Sequence, residues 1–101
     1  MKIILKQDIF KKSRGVYSRV LNLFCENCKV KICHYQKDGA GPLKRIYVDR
    51  IILPKIIWKN NKKLLCKKCF RWIGIGMVYK VEKRKCFILF QDTVIKKIVK
   101  L

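Results

Sequence analysis

The sequence has few acidic side chains, a single histidine and no long apolar run. Six Asp and Glu residues occur among 101 residues. No stretch approaches the roughly 18 uninterrupted apolar residues of a membrane-spanning helix. The apolar run before Lys6 is too short for the core of a signal peptide. We therefore expect a soluble, cytoplasmic protein with no membrane partner.

The scarcity of acids and histidine also excludes the common catalytic arrangements. The sequence holds no Ser-His-acid set, no paired carboxylates and no glycine-rich phosphate loop that opens a helix. The acids are scattered, and Asp49 beside Arg50 is expected to form a local ion pair. We predict that the protein is not an enzyme.

Positive charge, by contrast, is abundant. The 26 Lys and Arg residues give a formal net charge of +20. Self-repulsion on that scale opposes compaction, and a polyanionic partner relieves it. Nucleic acid is the first candidate, because bound Lys and Arg release condensed counterions from phosphates, and RNA is favoured over DNA. The alternatives are an anionic membrane, which usually recruits one concentrated basic tract, and a cationic protein from a lysine-biased proteome.

The apolar pattern predicts a mainly β protein that forms one domain over residues 1–101. Strands are expected at 16–25, 29–36, 43–52, 70–81 and 86–91. In 29–36 the side chains alternate, with Cys33 and Tyr35 on one face. Turn residues fill 37–42, so 43–52 is expected to pair with the preceding strand as a hairpin. The tail after Asp92 fits a helix or a strand, and we favour a strand.

Four of the six cysteines form two Cys-x-x-Cys pairs, Cys25 with Cys28 and Cys66 with Cys69, separated by 37 residues. In a reducing compartment such cysteines are metal ligands more often than disulfides. Four thiolates satisfy tetrahedral zinc and leave no coordination position open. We therefore predict one structural Zn²⁺ whose binding contributes to folding.

Other uses of the cysteines have less support. A rubredoxin-like iron site takes the same four ligands, a thioredoxin-type pair requires a βαβ context, and disulfides require an oxidising compartment. Cys33 and Cys86 lie outside the pairs and are expected to be small buried hydrophobic residues. His34 is expected at the surface or partly buried.

The double Cys-x-x-Cys on a β framework resembles zinc-ribbon and β-tent proteins, which include B-type methionine sulfoxide reductases. The segment Arg84-Lys85-Cys86 is similar to the catalytic arginine and cysteine of those reductases, but their downstream histidines are missing, so their catalysis is not carried over. Size, charge and the cysteine pairs together also resemble small basic zinc-ribbon ribosomal proteins. The resemblance implies a zinc-stabilised antiparallel β domain built on two cysteine knuckles.

Basic residues near turns and aromatic residues beside them are the candidate RNA contacts. Glycine-rich turns let backbone N–H groups approach phosphates, and exposed aromatic rings stack on unpaired bases. Three basic clusters qualify, around the 37–42 turn, on the second cysteine pair and at the 82–85 turn. The candidates are Lys37, Lys44, Arg45, Arg50, Lys67, Lys68, Arg71, Lys83, Arg84 and Lys85, with Tyr35, Tyr47 and Trp72. Four of the phenylalanines, Phe24, Phe70, Phe87 and Phe90, are assigned to the core.

Together these features predict a non-catalytic, RNA-binding zinc protein of a ribonucleoprotein. The expected partners are rRNA, bound through basic loops, and neighbouring ribosomal proteins. One alternative is a DNA-binding, transcription-associated zinc module, although strands rather than a recognition helix around the knuckles disfavour major-groove readout. Another is a β-tent protein-interaction factor.

Overall fold

A computed structural model describes residues 5, 6, 8 and 18–99, and almost all regular structure in them is β, as the sequence predicts. The one helical segment is a 3-10 turn at Val48–Arg50. No helix in the described part of the chain is long and apolar enough to cross a membrane. The eight strands are β1 (Ser18–Cys25), β2 (Lys31–Asp38), β3 (Arg45–Tyr47), β4 (Ile51–Leu53), β5 (Lys63–Leu65), β6 (Trp72–Tyr79), β7 (Arg84–Leu89) and β8 (Val94–Val99).

The strands form two antiparallel sheets of four. Sheet one has the order β4-β2-β1-β8 and sheet two the order β3-β7-β6-β5. The tail is therefore a strand, because β8 pairs with β1 from Cys25 opposite Val94 to Val20 opposite Val99. The predicted strands at 16–25, 70–81 and 86–91 correspond to β1, β6 and β7.

The prediction of one continuous strand over 43–52 is wrong, and pairing with the preceding strand holds only for the end of the segment. The segment divides at the 3-10 turn, so that β3 pairs with β7 in sheet two and β4 pairs with β2 in sheet one. In this arrangement Ile46 lies opposite Phe87, and both are buried. A period-2 pattern shows which side chains face a core. It does not show which sheet carries them, because both sheets face the same core.

The core lies between the sheets. Alternation in β2 is confirmed, since Cys33 and Tyr35 are buried, and burial raises the pKa of the Cys33 thiol to about 12. Cys86 is also buried, as expected. The central members are Leu21, Leu23, Cys33 and Tyr35 from sheet one and Ile46, Leu64, Ile73 and Phe87 from sheet two.

Only one of the four phenylalanines assigned to the core lies there. Phe87 is buried and Phe24 is half-buried, but Phe70 is 72% exposed and Phe90 is 38% exposed. Phe70 follows a cysteine pair and Phe90 follows the end of β7. At these positions the chain leaves the sheet, and strand alternation no longer directs a side chain inward.

Two buried arginines form ion pairs near the 3-10 turn, where the chain passes from sheet two to sheet one. Arg50, on the 3-10 turn, donates to Asp38 at 2.8 Å and to Asp8 at 2.5 Å. Arg84 makes two hydrogen bonds to Asp49, at 2.6 and 3.1 Å. The expected pair between Asp49 and Arg50 is longer, at 3.9 Å. Burial opposes the charge on Arg50, but the carboxylates of Asp8 and Asp38 raise its pKa above the usual value.

Replacing the buried carboxylate in Asp38→Asn is expected to lower the free energy of unfolding by about 3 kcal/mol at pH 7, because Arg50 loses one of its paired charges. Burial raises the pKa of Asp38, but hydrogen bonds from Ser18, Gln36 and Arg50 outweigh it and hold the pKa below its usual value. Urea unfolding of the metal-loaded protein measures the difference.

Because the folded-state pKa of Asp38 is depressed, its contribution is fully present above the unfolded pKa of about 3.9. It disappears as the pH falls through the folded value, so the two proteins should converge in stability below about pH 4. Asp92→Asn is the matched control, since Asp92 is exposed and Asn tolerates its positive φ of 60°. Equal stabilities of the two variants at pH 7 would contradict a structural role for Asp38.

Candidate metal centre

Four cysteine thiols meet at one point. The Sγ atoms of Cys25, Cys28, Cys66 and Cys69 all lie within 4.8 Å of one another. Cys25 and Cys69 are 3.7 Å apart, and Cys28 and Cys66 are 3.5 Å apart. Sulfurs placed at about 2.3 Å around a tetrahedral ion are separated by about 3.8 Å. The cluster can therefore hold a metal ion, and it consists of the four cysteines that the spacing predicts.

The two cysteine loops repeat one hydrogen-bond pattern. In each loop the N–H of the first cysteine donates to the carbonyl five residues later, and its carbonyl accepts from the N–H four residues later, at 2.9 Å in every case. The pattern curls each loop so that both of its sulfurs face the same point. The two Cys-x-x-Cys stretches of the sequence therefore share one local backbone conformation.

The fourth residue after each first cysteine lies in the left-handed region. Lys29 has a φ of 65° and Phe70 a φ of 62°. Glycine adopts this conformation without penalty, whereas a residue with a Cβ pays roughly 1–2 kcal/mol. Both loops therefore keep a side chain where the backbone favours glycine.

The hydrogen bonds of the loops prepare some thiols for ionisation. The Asn27 side chain and the Arg71 N–H lower the pKa of Cys69 to about 6. At Cys28 a backbone hydrogen bond lowers the pKa, but burial and the neighbouring thiols raise it to about 11. Thiolates this close together repel one another, so full ionisation of the four requires a cation among them.

The cluster lies where the two sheets come together. Cys25 ends β1 of sheet one, and Cys66 follows β5 of sheet two. An ion pair between Glu26 and Arg71 joins the two loops beside the thiols. A metal bound there would tie the sheets to each other, and since all four ligands are sulfur, no position is left for a reacting molecule.

The predicted RNA contacts divide by burial. Arg45 and Arg71 are half-buried, and Trp72 is 44% exposed. The exposed basic candidates are Lys44, Lys67, Lys68, Lys83 and Lys85. The buried candidates are Tyr35, Lys37, Tyr47, Arg50 and Arg84.

The five buried residues were predicted to contact RNA, and their contacts inside the fold show that this prediction is wrong for them. The Tyr35 hydroxyl accepts from the Tyr47 N–H at 2.9 Å inside the core, where burial raises the pKa of Tyr35, so neither ring can stack on a base. Arg50 and Arg84 are committed to carboxylates, and Lys37 donates to the Gly39 carbonyl at 2.9 Å. The sequence gives the number of charged residues, but it does not show which of their side chains are buried.

Several residues of the first basic cluster line one cavity. It has a volume of about 380 Å³ and is lined by Lys37, Lys44, Arg45 and Arg50, together with Arg84 from the third cluster. The Lys67 and Lys68 cluster lies apart from it, on the second cysteine loop.

Most carboxylates are used within the fold. Among the described residues, five of the six acids form ion pairs with arginines: Asp8 and Asp38 with Arg50, Asp49 and Glu82 with Arg84, and Glu26 with Arg71. The twenty lysines of the sequence therefore carry charge that the protein's own acids do not balance.

Sequence reasoning missed three residues around Trp72. The Lys63 Nζ lies 4.5 Å from the centre of the Trp72 ring, and Phe90 contacts that ring edge to face at 5.2 Å. Phe70 lies two residues before Trp72 and is exposed. One sequence feature could have predicted that Phe70 and Phe90 are exposed, because both lie next to turns and not within strands.

Comparison of the sequence with protein-family models and curated proteins, and of the fold with solved structures, finds no match. The resemblance to zinc-ribbon and β-tent proteins therefore stays a prediction from the sequence. At the level that the structure supports, the protein is a small, mainly β protein with two antiparallel sheets and a four-cysteine cluster able to hold a metal ion.

Proposed function

We propose that the protein is a non-catalytic RNA-binding component of a ribonucleoprotein such as the ribosome, stabilised by one structural Zn²⁺. Zinc suits the cluster because it accepts four thiolates in a tetrahedron without redox chemistry. Bound zinc would leave the centre with a charge of about −2, which Lys67 and Lys68 on the second loop partly offset.

The observation that carries the RNA proposal is the unbalanced lysine charge. Among the described residues arginines pair with five of the six carboxylates, and the chain has 26 Lys and Arg against six Asp and Glu, so most of its positive charge has no carboxylate of its own to balance it. A phosphate backbone balances such charge and gains free energy by releasing its counterions. Folded RNA also supplies loops and grooves that a surface with scattered basic turns can follow.

RNA is favoured over duplex DNA by the absence of a reading helix in residues 18–99. The single helical segment there has three residues, whereas common major-groove readers insert a longer helix. The exposed basic candidates lie on turns and short loops, which suits contacts to backbone and unpaired nucleotides.

Purified protein is expected to contain one zinc per chain by elemental analysis and to lose cooperative unfolding on chelation, because metal binding contributes to folding. Cys66→Ser should lower zinc content and stability together. As controls, Cys33→Ala and Cys86→Ala remove buried cysteines outside the cluster and should each retain one zinc. A metal-free protein of undiminished stability would contradict the structural site, and an iron-only protein would contradict zinc.

RNA affinity should fall steeply with salt, and Lys67→Glu/Lys68→Glu should reduce the slope of log K against log salt by about 1.4 if two phosphate contacts to a single strand are lost. The matched control is Lys96→Glu/Lys97→Glu, which makes the same charge change on exposed residues of β8. Fluorescence anisotropy with labelled RNA measures both. Equal losses for the two variants would indicate attraction to net charge alone.

Particle association tests the cellular part of the proposal. The protein should co-sediment with ribosomal particles through a gradient of moderate salt. Equal, salt-labile binding to RNA and duplex DNA, without association with any particle, would contradict a ribonucleoprotein role.

A further inference from the structure

Three aromatic side chains remain exposed around the second cysteine loop. Phe70 is 72% exposed, Trp72 44% and Phe90 38%. The rings of Trp72 and Phe90 contact each other edge to face, 5.2 Å between centres. We call these three residues the stacking surface. A cluster of exposed aromatic residues on a small soluble protein marks a contact site, because such rings otherwise bury their large apolar area.

A lysine side chain lies over the Trp72 ring of this surface. The Lys63 ammonium lies 4.5 Å from the centre of the Trp72 ring. Lys63 is on β5, the edge strand of sheet two, and Leu65 of the same strand pairs with Trp72 and is 45% exposed. The lysine stem is long and rotatable, so an arriving planar base can replace the ammonium over the ring while the charge turns to the phosphate of the same nucleotide.

A groove of about 420 Å³ lies beside the stacking surface, since its lining includes Lys63, whose ammonium lies over the Trp72 ring, and Leu65, which pairs with Trp72. Its floor is apolar and includes Val30, Ile32 and Ile56. No acidic side chain is among the described residues that line it. The lysines along it, which define the lysine groove, are Lys31, Lys55, Lys62, Lys63 and Lys67.

The backbone at Phe70 is a second, independent observation. Its φ of 62° favours glycine, yet the position holds a large aromatic residue that packs little of its surface against the protein. Neither local conformation nor the core therefore accounts for phenylalanine here. Because Lys29 has the same φ in the equivalent loop, the left-handed backbone belongs to both cysteine loops, and the exposed aromatic side chain is what distinguishes the second loop.

We infer that the stacking surface and the lysine groove bind single-stranded nucleic acid, with bases stacked on Trp72 and Phe70 and phosphates along the lysines. Aromatic rings beside a cationic track are the combination by which proteins hold unpaired strands. This inference rests on the proposed function and narrows it to unpaired nucleotides. A second copy of the chain is a poor occupant, because two such grooves would bring lysines against lysines.

Fluorescence detects the stacking directly. Trp58 is the only other tryptophan, so Trp58→Phe leaves Trp72 as the sole indole fluorophore. Trp58 donates to the Cys86 carbonyl at 2.8 Å, so zinc content and circular dichroism check that this variant folds. A 12-nucleotide single-stranded RNA should quench Trp72 emission, whereas an RNA duplex of equal length should not. Equal quenching by both would overturn base stacking.

Affinity for an abasic strand separates base stacking from charge. Wild-type protein should bind the 12-nucleotide RNA at least about 5-fold more tightly than an abasic strand of the same length, since each stacked base contributes about 5- to 150-fold. Trp72→Leu should abolish most of this ratio, and the matched control Trp58→Phe should preserve it. Anisotropy at constant salt gives both affinities.

The possible failures differ in what they overturn. Salt-dependent binding that is equal for normal and abasic RNA overturns stacking and leaves RNA binding intact. No binding to either strand overturns the proposed function and this inference together. A dimer in sedimentation that Trp72→Leu dissolves would assign the stacking surface to self-association and overturn the inference.

Two glycine substitutions in the equivalent cysteine loops separate the role of the Phe70 side chain from that of the backbone. Phe70→Gly and Lys29→Gly relieve the same left-handed backbone in the two equivalent loops, and each should raise the Tm by about 4–8 °C. Phe70→Gly should also reduce the ratio of affinities for normal and abasic RNA several-fold, whereas Lys29→Gly should leave that ratio unchanged. An unchanged ratio in Phe70→Gly would remove Phe70 from the binding surface.

Discussion

The convergence of four thiols between the two sheets is the constraint on which the remaining structure depends. Each sheet supplies one Cys-x-x-Cys loop, and both loops use the same hydrogen bonds to aim their sulfurs at one point. The thiols repel one another when ionised, so a cation would turn a repulsive contact into a crosslink. For a 101-residue chain with a net charge of +20, such a link offsets both a modest core and strong self-repulsion.

Arginine and lysine have different tasks in this fold. The planar guanidinium of Arg84 makes two hydrogen bonds to Asp49, and Arg50 contacts two carboxylates while almost fully buried. Arginine suits such positions because its donors are fixed in a fork and its charge is weakly hydrated, whereas lysine is a strongly hydrated point charge. Arginine therefore stabilises the segment that passes from sheet two to sheet one, and lysine makes the surface cationic.

Sequence reasoning succeeded where the signal is local and failed where a residue's direction depends on distant chain. The cysteine spacing identified the cluster, and alternation in β2 put Cys33 and Tyr35 on one face, which the structure buries although Tyr35 was predicted to contact RNA. The same alternation could not show that 43–52 crosses between sheets, because both sheets face one core. Nor could hydrophobicity show that Phe70 and Phe90 point outward, since that follows from where the turns lie.

The sequence by itself determined the β class, the four cysteines of the cluster and the large positive charge, because composition, period-2 patterning and Cys-x-x-Cys spacing are properties of short stretches. The tertiary structure decided which charges and rings are available to a partner. Burial depends on residues far apart in the chain: Arg50 meets Asp8 and Asp38, and Trp72 meets Lys63 and Phe90. Only the packing of two sheets brings these partners together, turning some predicted contacts inward and leaving unexpected aromatic residues outside.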